Sequence, residues 1–223
     1  MEDGLGQAPK KIPEHQAVYG RVRDAILFGE LVPGQAVTIQ SLTEMTGSGM
    51  TPIREAIRRL TAEGALLAMG NRRIVVPRLD EAQLDEITFA RLAIEPKLAE
   101  IATDKASDEE ISQLTEIDDA LNAAIDEGSV ERYLMHNHRF HFALYELAGS
   151  EILAGIASML WLRMGPSLRV VCGRYGTANL PDMHDAALAA LKAGDAATVA
   201  DAVRRDILQG VEQVRSSLNE VMD

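Results

Sequence analysis

Residues 51–60 read TPIREAIRRL, and the spacing within this stretch decides the fold of the N-terminal part of the chain. Arg54 and Arg58 stand four positions apart and therefore share one face of a helix. Thr51 is a suitable cap for the start of that helix, and Gly64 is a suitable end. The apolar residues fall on the opposite face at helical spacing, and they are Ile53, Ala56, Ile57 and Leu60. The stretch predicts an amphipathic helix with two arginines directed to solvent.

The segments on either side of this helix predict a winged helix–turn–helix. In chain order they are a helix over 15–28, a Pro-Gly turn and short strand within 31–39, a helix over 40–45, a break at 46–52, the helix described above, and a β-hairpin in which ALLAM (65–69) and IVV (74–76) flank GNRR (70–73). We assign residues 13–78 to this domain and residues 1–12 to a disordered tail.

Residues 79–223 predict an all-α domain, because apolar residues recur there at helical spacing. Ser107 and Glu110 form a capping box at one helix start, and Gly165 with Pro166 predicts a kink in a later helix. The helices are expected near residues 81–106, 108–127, 129–148, 151–172, 180–193 and 195–221. The fold class is therefore mainly α, with an N-terminal winged helix–turn–helix and a C-terminal helical bundle.

Charge is divided unevenly between the two parts of this 223-residue chain, whose net charge is −12. Residues 1–78 hold 10 Lys and Arg against 8 Asp and Glu, which gives +2, and residues 79–223 hold 12 against 26, which gives −14. A basic patch beside an acidic body allows a local DNA contact, because salt limits the reach of the acidic charges to about 8 Å. The single cysteine, Cys172, excludes an internal disulfide, and no apolar run approaches the roughly 20 residues of a membrane span. We expect a cytoplasmic protein with no membrane partner.

The predicted helix at residues 51–63 is a candidate reader of double-stranded DNA. In a helix–turn–helix the second helix lies in the major groove, with its N-terminal residues near base edges. Arg54 and Arg58 can each hold a guanine or a phosphate through two hydrogen bonds. Arg72 and Arg73 at the hairpin tip can reach the minor groove or the DNA backbone. The alternative, that these arginines only form a solvated surface, is disfavoured because helix order, capping and local charge agree.

Residues 136–141, HNHRFH, contain three of the five histidines. At about 100° per residue, His136 and His138 lie on opposite sides of Asn137, whereas His141 shares the apolar face with Asn137. The three histidines cannot converge on one ion. Asn137 and His141 form the better pair, and His136 and His138 are expected at the surface or on the flanks of the helix.

Three other predicted helices carry an ionisable residue inside an apolar stripe, namely Arg91, His184 and Asp206. Buried ionisable groups are unfavourable unless they are paired or bind a metal. Imidazoles with a carboxylate suit Zn²⁺, Ni²⁺, Mn²⁺ or Fe²⁺, and Arg91 could hold an organic acid through both arms of its guanidinium. Spacing alone favours the simpler alternative, in which these residues are core polar groups that satisfy one another.

The segment GELVPGQAVTIQSLTEMTGSGMTPIREAIRRLTAEGAL (residues 29–66) resembles the DNA-binding half of the GntR-type bacterial transcription regulators. The resemblance implies that Thr51 and Arg54 contact DNA and that the hairpin is the wing. Met50 stands where relatives commonly carry Arg, and Gln40 stands where some carry Arg. Gln40 can still form a hydrogen bond with a base.

The helical part resembles the FCD ligand-binding domain, which accompanies the DNA-binding domain in the FadR-like subgroup. The matching segments are RLAIEPKLAEIA (91–102), NHRFHFALYELAGS (137–150) and HDAALAALKAGDAATVADAVRRDI (184–207). Members often bind a divalent metal through one Asp and three His, and the metal anchors a small organic acid. By resemblance, Asn137 takes the Asp position, His141 and His184 take the first two His positions, and Asp206 takes the last. One carboxylate is lost and one is gained, so the formal charge of the set is unchanged.

The resemblance implies a homodimeric transcription regulator, not an enzyme, that binds operator DNA and a small carboxylate effector, with a divalent metal as cofactor. In one alternative the pocket has no metal and binds the effector directly through Arg91, His141 and His184. Two rival functions are a metal-dependent enzyme, because two His and one carboxylate also serve oxygenases, and an architectural DNA binder without a ligand.

Overall fold

The computed structural model of the chain describes residues 12–70, 73–175 and 182–220. The predicted disordered tail lies outside these residues except for Ile12, which is exposed, and Arg72 also lies outside them. The N-terminal elements are α1 (Glu14–Leu27), β1 (Ala36–Val37), α2 (Ile39–Thr46), α3 (Met50–Ala62), β2 (Leu67–Ala68) and β3 (Ile74–Val75). This order is the predicted winged helix–turn–helix.

The three short strands form one antiparallel sheet in the order β1-β3-β2. Val75 of the central strand pairs with Ala36 on one side and with Leu67 on the other. Directly after β1, the Thr38 side chain accepts a hydrogen bond from the backbone N–H of Ser41 and caps α2. The sheet therefore joins the wing to the start of the helix–turn–helix.

Helix α3 begins one residue earlier than the sequence predicts. Gly49 occupies the N-cap position with an extended backbone and no side-chain cap, and Met50 is the first helical residue. The prediction that Thr51 caps the helix is therefore wrong. The physical reason is that α2 ends at Gly47 in the left-handed conformation, with φ of 69°, so the turn between the helices is very short. Gly64, with φ of 75°, follows the end of α3 as predicted.

The C-terminal part is a bundle of long helices. Its elements are α4 (Glu81–Thr103), α5 (Asp108–Asp126), α6 (Val130–Leu147), α7 (Glu151–Tyr175), α8 (Met183–Ala193) and α9 (Ala196–Glu220). The capping box of Ser107 and Glu110 at the start of α5 is confirmed. Pro166 lies inside α7, and the kink expected there stays a prediction. No helix within the described ranges combines the length and apolar character needed to cross a membrane.

Each part has its own hydrophobic core, and α7 contributes to both. The N-terminal core includes Val22, Ile26, Leu42, Ile53 and Leu60, and Trp161 and Leu162 of α7 complete it. The core of the bundle includes Leu84, Leu98, Phe140, Leu144, Met164, Leu188 and Val203. Gly165 lies so close to α1 that a Cβ atom there would be 2.4 Å from the carbonyl oxygen of Leu27. Helix α1 therefore rests directly on α7.

Candidate functional site

Three predicted DNA contacts lie on one face of α3. Thr51, Arg54 and Arg58 are exposed, whereas Ile53 and Ile57 are buried in the N-terminal core. Within the described ranges neither of these two arginines has an ion-pair partner. Both guanidinium groups are therefore available to bases or phosphates.

The other predicted DNA contacts flank this face. Gln40 is exposed on α2, and its Nε2 donates to Glu44 Oε1 at 3.0 Å. Arg73 is exposed beside the β2–β3 turn, where its carbonyl accepts the Met69 N–H at 2.7 Å. Arg72 lies outside the described residues. The Gln40 amide has a second N–H and a carbonyl oxygen beyond this bond, so it can contact a base without leaving Glu44.

His141 of α6, His184 of α8 and Asp206 of α9 meet inside the bundle. His141 Nε2 lies 3.0 Å from Asp206 Oδ2 and 3.3 Å from His184 Nε2. His184 Nε2 lies 4.0 Å from Asp206 Oδ1. Both histidines are buried, and the side chain of Asp206 is 25% exposed. The structure thus brings together three residues of the predicted ligand set from three separate helices.

The Nδ1 atom of each histidine, which points away from the other histidine, lies within hydrogen-bond distance of an oxygen atom. His184 Nδ1 lies 2.8 Å from Asp118 Oδ1, and His141 Nδ1 lies 3.1 Å from the Tyr145 hydroxyl. Tyr145 donates its own proton to Glu95 Oε2 at 2.8 Å, so its oxygen accepts the Nδ1–H of His141. In neutral histidines both Nε2 atoms then carry lone pairs that face each other and the nearby carboxylate. Three acceptors this close need a cation between them, either a proton or a metal ion.

The charges in this cluster shift two of its pKa values. Burial would raise the pKa of Asp206, but the nearby His141 and His184 outweigh that effect and lower this pKa to about 2. Burial would lower the pKa of His184, but its hydrogen bond to Asp118 and the charge of Asp206 outweigh that effect and raise this pKa. Asp206 is therefore a carboxylate at neutral pH, which is the form that binds a cation.

Asn137 lies one helical turn before His141 and lines a small cavity of about 50 Å³. Arg91, Trp161 and Asp206 also contribute to the walls of this cavity. The predicted effector-binding arginine therefore shares one small space with two members of the predicted ligand set. That space is the candidate position for a ligand.

The guanidinium of Arg91 is already engaged. Its Nε and Nη2 donate to the two carboxylate oxygens of Glu95 at 2.6 and 3.0 Å, and its Nη1 lies 3.2 Å from Met164 Sδ. Glu95 also accepts hydrogen bonds from the Tyr145 hydroxyl and from Trp161 Nε1. Glu95 occupies both arms in this arrangement, so the expectation that Arg91 holds an effector carboxylate stays a prediction that requires Glu95 to move away.

Sequence reasoning missed Glu95 and Asp118, the two carboxylates that hold the site in place. Asp118 is 3% exposed and lies on the buried stripe of α5 with Leu114 and Leu121. A carboxylate within an apolar stripe was the available signal, as it was for Asp206. Glu95 follows Arg91 by four positions, which is the spacing of an ion pair along a helix.

The remaining histidines of the 136–141 segment diverge from this site, as the helical geometry predicts. His138 stacks on Phe142 with ring centroids 4.3 Å apart and lies edge-on to Phe28 and Trp161. Burial lowers the pKa of His138 to about 3, so its ring is neutral. His138 takes the expected flanking position, half-buried, and packs at the junction of α1, α6 and α7. His136 is half-buried.

Comparison with protein families matches both parts of the chain. Residues 14–76 match the bacterial regulatory proteins of the gntR family, and residues 86–209 match the FCD domain. The HTH-type transcriptional regulator McbR of Escherichia coli is 30% identical over 177 residues, which are 78% of this chain and 80% of that protein. The HTH-type transcriptional repressor GlaR of Escherichia coli is 23% identical over 214 residues, which are 90% of this chain and 95% of that protein.

Solved structures agree with these sequence matches. Escherichia coli McbR superimposes with a TM-score of 0.86 at 27% identity, over 92% of this chain and 99% of that one. A transcriptional regulator GntR from a Rhodococcus species shares the fold, with a TM-score of 0.75 at 18% identity, over 91% of this chain and 97% of that one. The predicted fold class is confirmed, and the relatives are transcription regulators, not enzymes. The chain belongs to the GntR family of bacterial regulatory proteins and is a DNA-binding transcription regulator with a C-terminal FCD domain.

Proposed function

We propose that the FCD domain binds a divalent metal ion through His141, His184 and Asp206, and that a small organic acid on this metal modulates operator binding. The observation that carries the proposal is the convergence of His141 Nε2, His184 Nε2 and the Asp206 carboxylate from three helices. Asn137 is a weaker fourth ligand through its carbonyl oxygen. Zn²⁺, Ni²⁺, Mn²⁺ and Fe²⁺ accept such donors. When bound, the metal supplies positive charge and open positions for a carboxylate.

Two of the three separations between donor atoms fit a shared ion, and the third, from His184 Nε2 to Asp206 Oδ1, is longer at 4.0 Å. Two donors at about 2.0–2.1 Å from one metal lie about 3.0–3.4 Å from each other. The distances from His141 to Asp206 and to His184, 3.0 and 3.3 Å, fall in that range. The contact of His184 with Asp118 is also typical of a metal-binding histidine, because a carboxylate on Nδ1 holds the ring in one tautomer.

The net charge around the site favours binding of a metal cation first and of an organic acid only afterwards. Glu95, Asp118 and Asp206 place three negative charges around the two histidines, and Arg91 places one positive charge there. With neutral histidines the sum of three negative charges and one positive charge is −2, which repels an organic carboxylate. A divalent cation balances this charge, so the metal is expected to bind first.

A metal-free pocket is the second candidate, and the position of Arg91 in the cavity wall favours it. In that case the acid contacts Arg91, His141 and His184 directly. The acid must then displace Glu95 from Arg91 and enter a negatively charged site with no metal cation to balance the charge. These two requirements make the metal the better proposal.

We propose that residues 13–78 form the DNA-binding domain and residues 79–223 the effector-binding and dimerisation domain. The proposed operator contacts are Thr51, Arg54 and Arg58 on α3, Gln40 on α2, and Arg72 and Arg73 at the wing. Their support is the exposed face of α3, whose N-terminal end is the part of a recognition helix that reaches base edges.

We also propose that the protein acts as a homodimer, because two DNA-binding domains are needed to read two half-sites. Three large apolar side chains are exposed on the packed helices α4 and α7, with exposed fractions of 78% for Phe89, 77% for Ile152 and 45% for Met159. Contiguous exposed apolar surface is typical of an interaction site, and we propose that these side chains belong to one. A second copy that covers it would hold the two DNA-binding domains at a defined separation.

The test is operator binding by the full-length protein, with the operator duplex first selected from a random-sequence pool. Addition of Ni²⁺ and a panel of small mono- and dicarboxylic acids should change the wild-type operator Kd by about tenfold or more. His184→Ala should not respond, whereas the control His136→Ala, from the diverging side of α6, should respond like the wild type. A wild-type affinity that ignores both metal and acids would contradict the proposal, and a response to acids in the presence of a chelator would favour the metal-free pocket.

A further inference from the structure

We infer that Trp161 connects the ligand cavity to the DNA-binding domain, so that a change at the Arg91–Glu95 pair alters how α1 sits on α7. The inference rests on the proposed function, because it names the route by which the same site regulates DNA binding. Trp161 is the single tryptophan of the chain and is 4% exposed. It lines the cavity and also belongs to the hydrophobic core of the DNA-binding domain.

On the cavity side, Trp161 takes part in the hydrogen-bond network of Glu95. Its Nε1 donates to Glu95 Oε2 at 3.0 Å, and the Arg91 guanidinium carbon lies 4.6 Å from the centre of its ring. The ring of His141 lies 5.1 Å from the ring of Trp161. A buried carboxylate has few alternative partners, so a ligand that shifts Arg91 or His141 must redistribute the bonds to Glu95 and thereby displace the indole.

On the other side, Trp161 contacts residues that support α1. Its ring lies 5.5 Å from the ring of His138, which lies 5.8 Å edge-on from Phe28 at the end of α1. One turn further along α7, Gly165 touches the Leu27 carbonyl with no room for a Cβ atom. The packing is dense, so α1 must adjust when this part of α7 moves.

Helix α1 is in turn packed on α3, the DNA-reading helix. Val22 and Ile26 share a core with Ile53, and the Tyr19 hydroxyl donates to Glu63 at the end of α3 at 2.7 Å. A continuous series of packed side chains therefore runs from the cavity to the recognition helix. Such a series can transmit coupling between distant sites when its members have two arrangements.

The test is a double-mutant cycle in operator Kd without added metal or acid. Glu95→Gln preserves the shape of the side chain and removes its charge, and it should change the operator Kd by about threefold or more. Trp161→Phe preserves an aromatic ring and removes the N–H that donates to Glu95. In that background the same Glu95→Gln change should alter the operator Kd by less than about 1.5-fold. Glu109→Gln makes the same chemical change at an exposed position on α5 and serves as the matched control, with an unchanged operator Kd.

Equal shifts in both backgrounds, or no shift in either, would overturn the role of Trp161. Circular dichroism and gel filtration confirm that each variant is folded. If Glu95→Gln does not fold, Tyr145→Phe takes its place in the cycle, because it removes only one donor to Glu95. The cycle contains no ligand, so its failure is distinct from failure of the metal and acid response described above.

Discussion

The DNA-binding domain and the FCD domain each contain an Arg–Glu pair four residues apart on a helix, in opposite environments. Arg59 and Glu63 at the end of α3 are 3.0 Å apart, and their side chains are 57% and 20% exposed. Arg91 and Glu95 on α4 are 2.6 Å apart, and their side chains are 4% and 0% exposed. The same spacing in the sequence thus produces one solvated pair and one buried pair.

Each pair also has an aromatic partner arranged in the same way. The Arg59 guanidinium lies 3.7 Å from the ring centre of Tyr19, whose hydroxyl donates to the glutamate of that pair. The Arg91 guanidinium lies over Trp161, whose N–H donates to the glutamate of the buried pair. Water can replace a lost partner of the exposed Arg59–Glu63 pair, but it cannot replace a lost partner of the buried Arg91–Glu95 pair. The DNA-binding surface is therefore a set of largely independent contacts, whereas the ligand site is one coupled network.

The largest expected effect comes from breaking the two ion pairs in parallel. Glu95→Ala leaves the Arg91 charge buried without its partner and should lower the free energy of unfolding by about 3–5 kcal/mol. Glu63→Ala leaves Arg59 in solvent and should cost about 0–1 kcal/mol. Urea denaturation of both variants measures the difference, and similar small losses would show that the buried pair is not a coupled network.

Substitution of a DNA contact on α3 should weaken operator binding and leave the free energy of unfolding nearly unchanged. Arg54→Ala should weaken operator binding by about 1–3 kcal/mol if the guanidinium reads a base. Because Arg54 is exposed and has no ion-pair partner in the described part of the chain, the free energy of unfolding should change by no more than about 0.5 kcal/mol. Fluorescence anisotropy with the selected operator measures the first quantity. Arg205→Ala on α9 is the control, and equal weakening by both variants would remove Arg54 from the DNA interface.

A smaller effect, on the affinity for a metal ion, should follow when His184 loses the carboxylate that holds its ring but all proposed metal ligands are kept. Asp118→Asn weakens the support of His184 Nδ1 and should lower the affinity for Ni²⁺ by about 10- to 100-fold. Asp119→Asn changes the neighbouring exposed carboxylate and should leave the affinity unchanged. Isothermal titration with Ni²⁺ compares the two, and equal affinities would mean that Asp118 does not position a metal ligand.

The DNA-binding domain was predictable because its signals are local. Apolar spacing, the Pro-Gly turn and Gly64 mark the elements, and each of them acts within a few residues of the chain. The one error, at the start of α3, concerns which of two nearby residues caps the helix. Gly49 takes that position because the turn after Gly47 is too short to leave Thr51 outside the helix.

The ligand site was predictable only in part because it depends on which helices meet. His141, His184 and Asp206 were identified as polar residues within apolar stripes, and three helices bring them together. Asp118 carried the same signal on α5, but spacing along one helix does not show which side chain it faces on another. The pairing of Arg91 with Glu95 was visible as a four-residue spacing, yet its burial, which decides its importance, is a property of the packed bundle.

The metal content of the full-length protein, purified without chelator or affinity tag, decides most directly whether this network is a metal site. The geometry of His141, His184 and Asp206 predicts about one divalent ion per chain in the wild type, with loss of that ion in His184→Ala and retention in His136→Ala. Absence of metal from the wild type, or a substoichiometric amount that His184→Ala leaves unchanged, would contradict the metal-binding proposal.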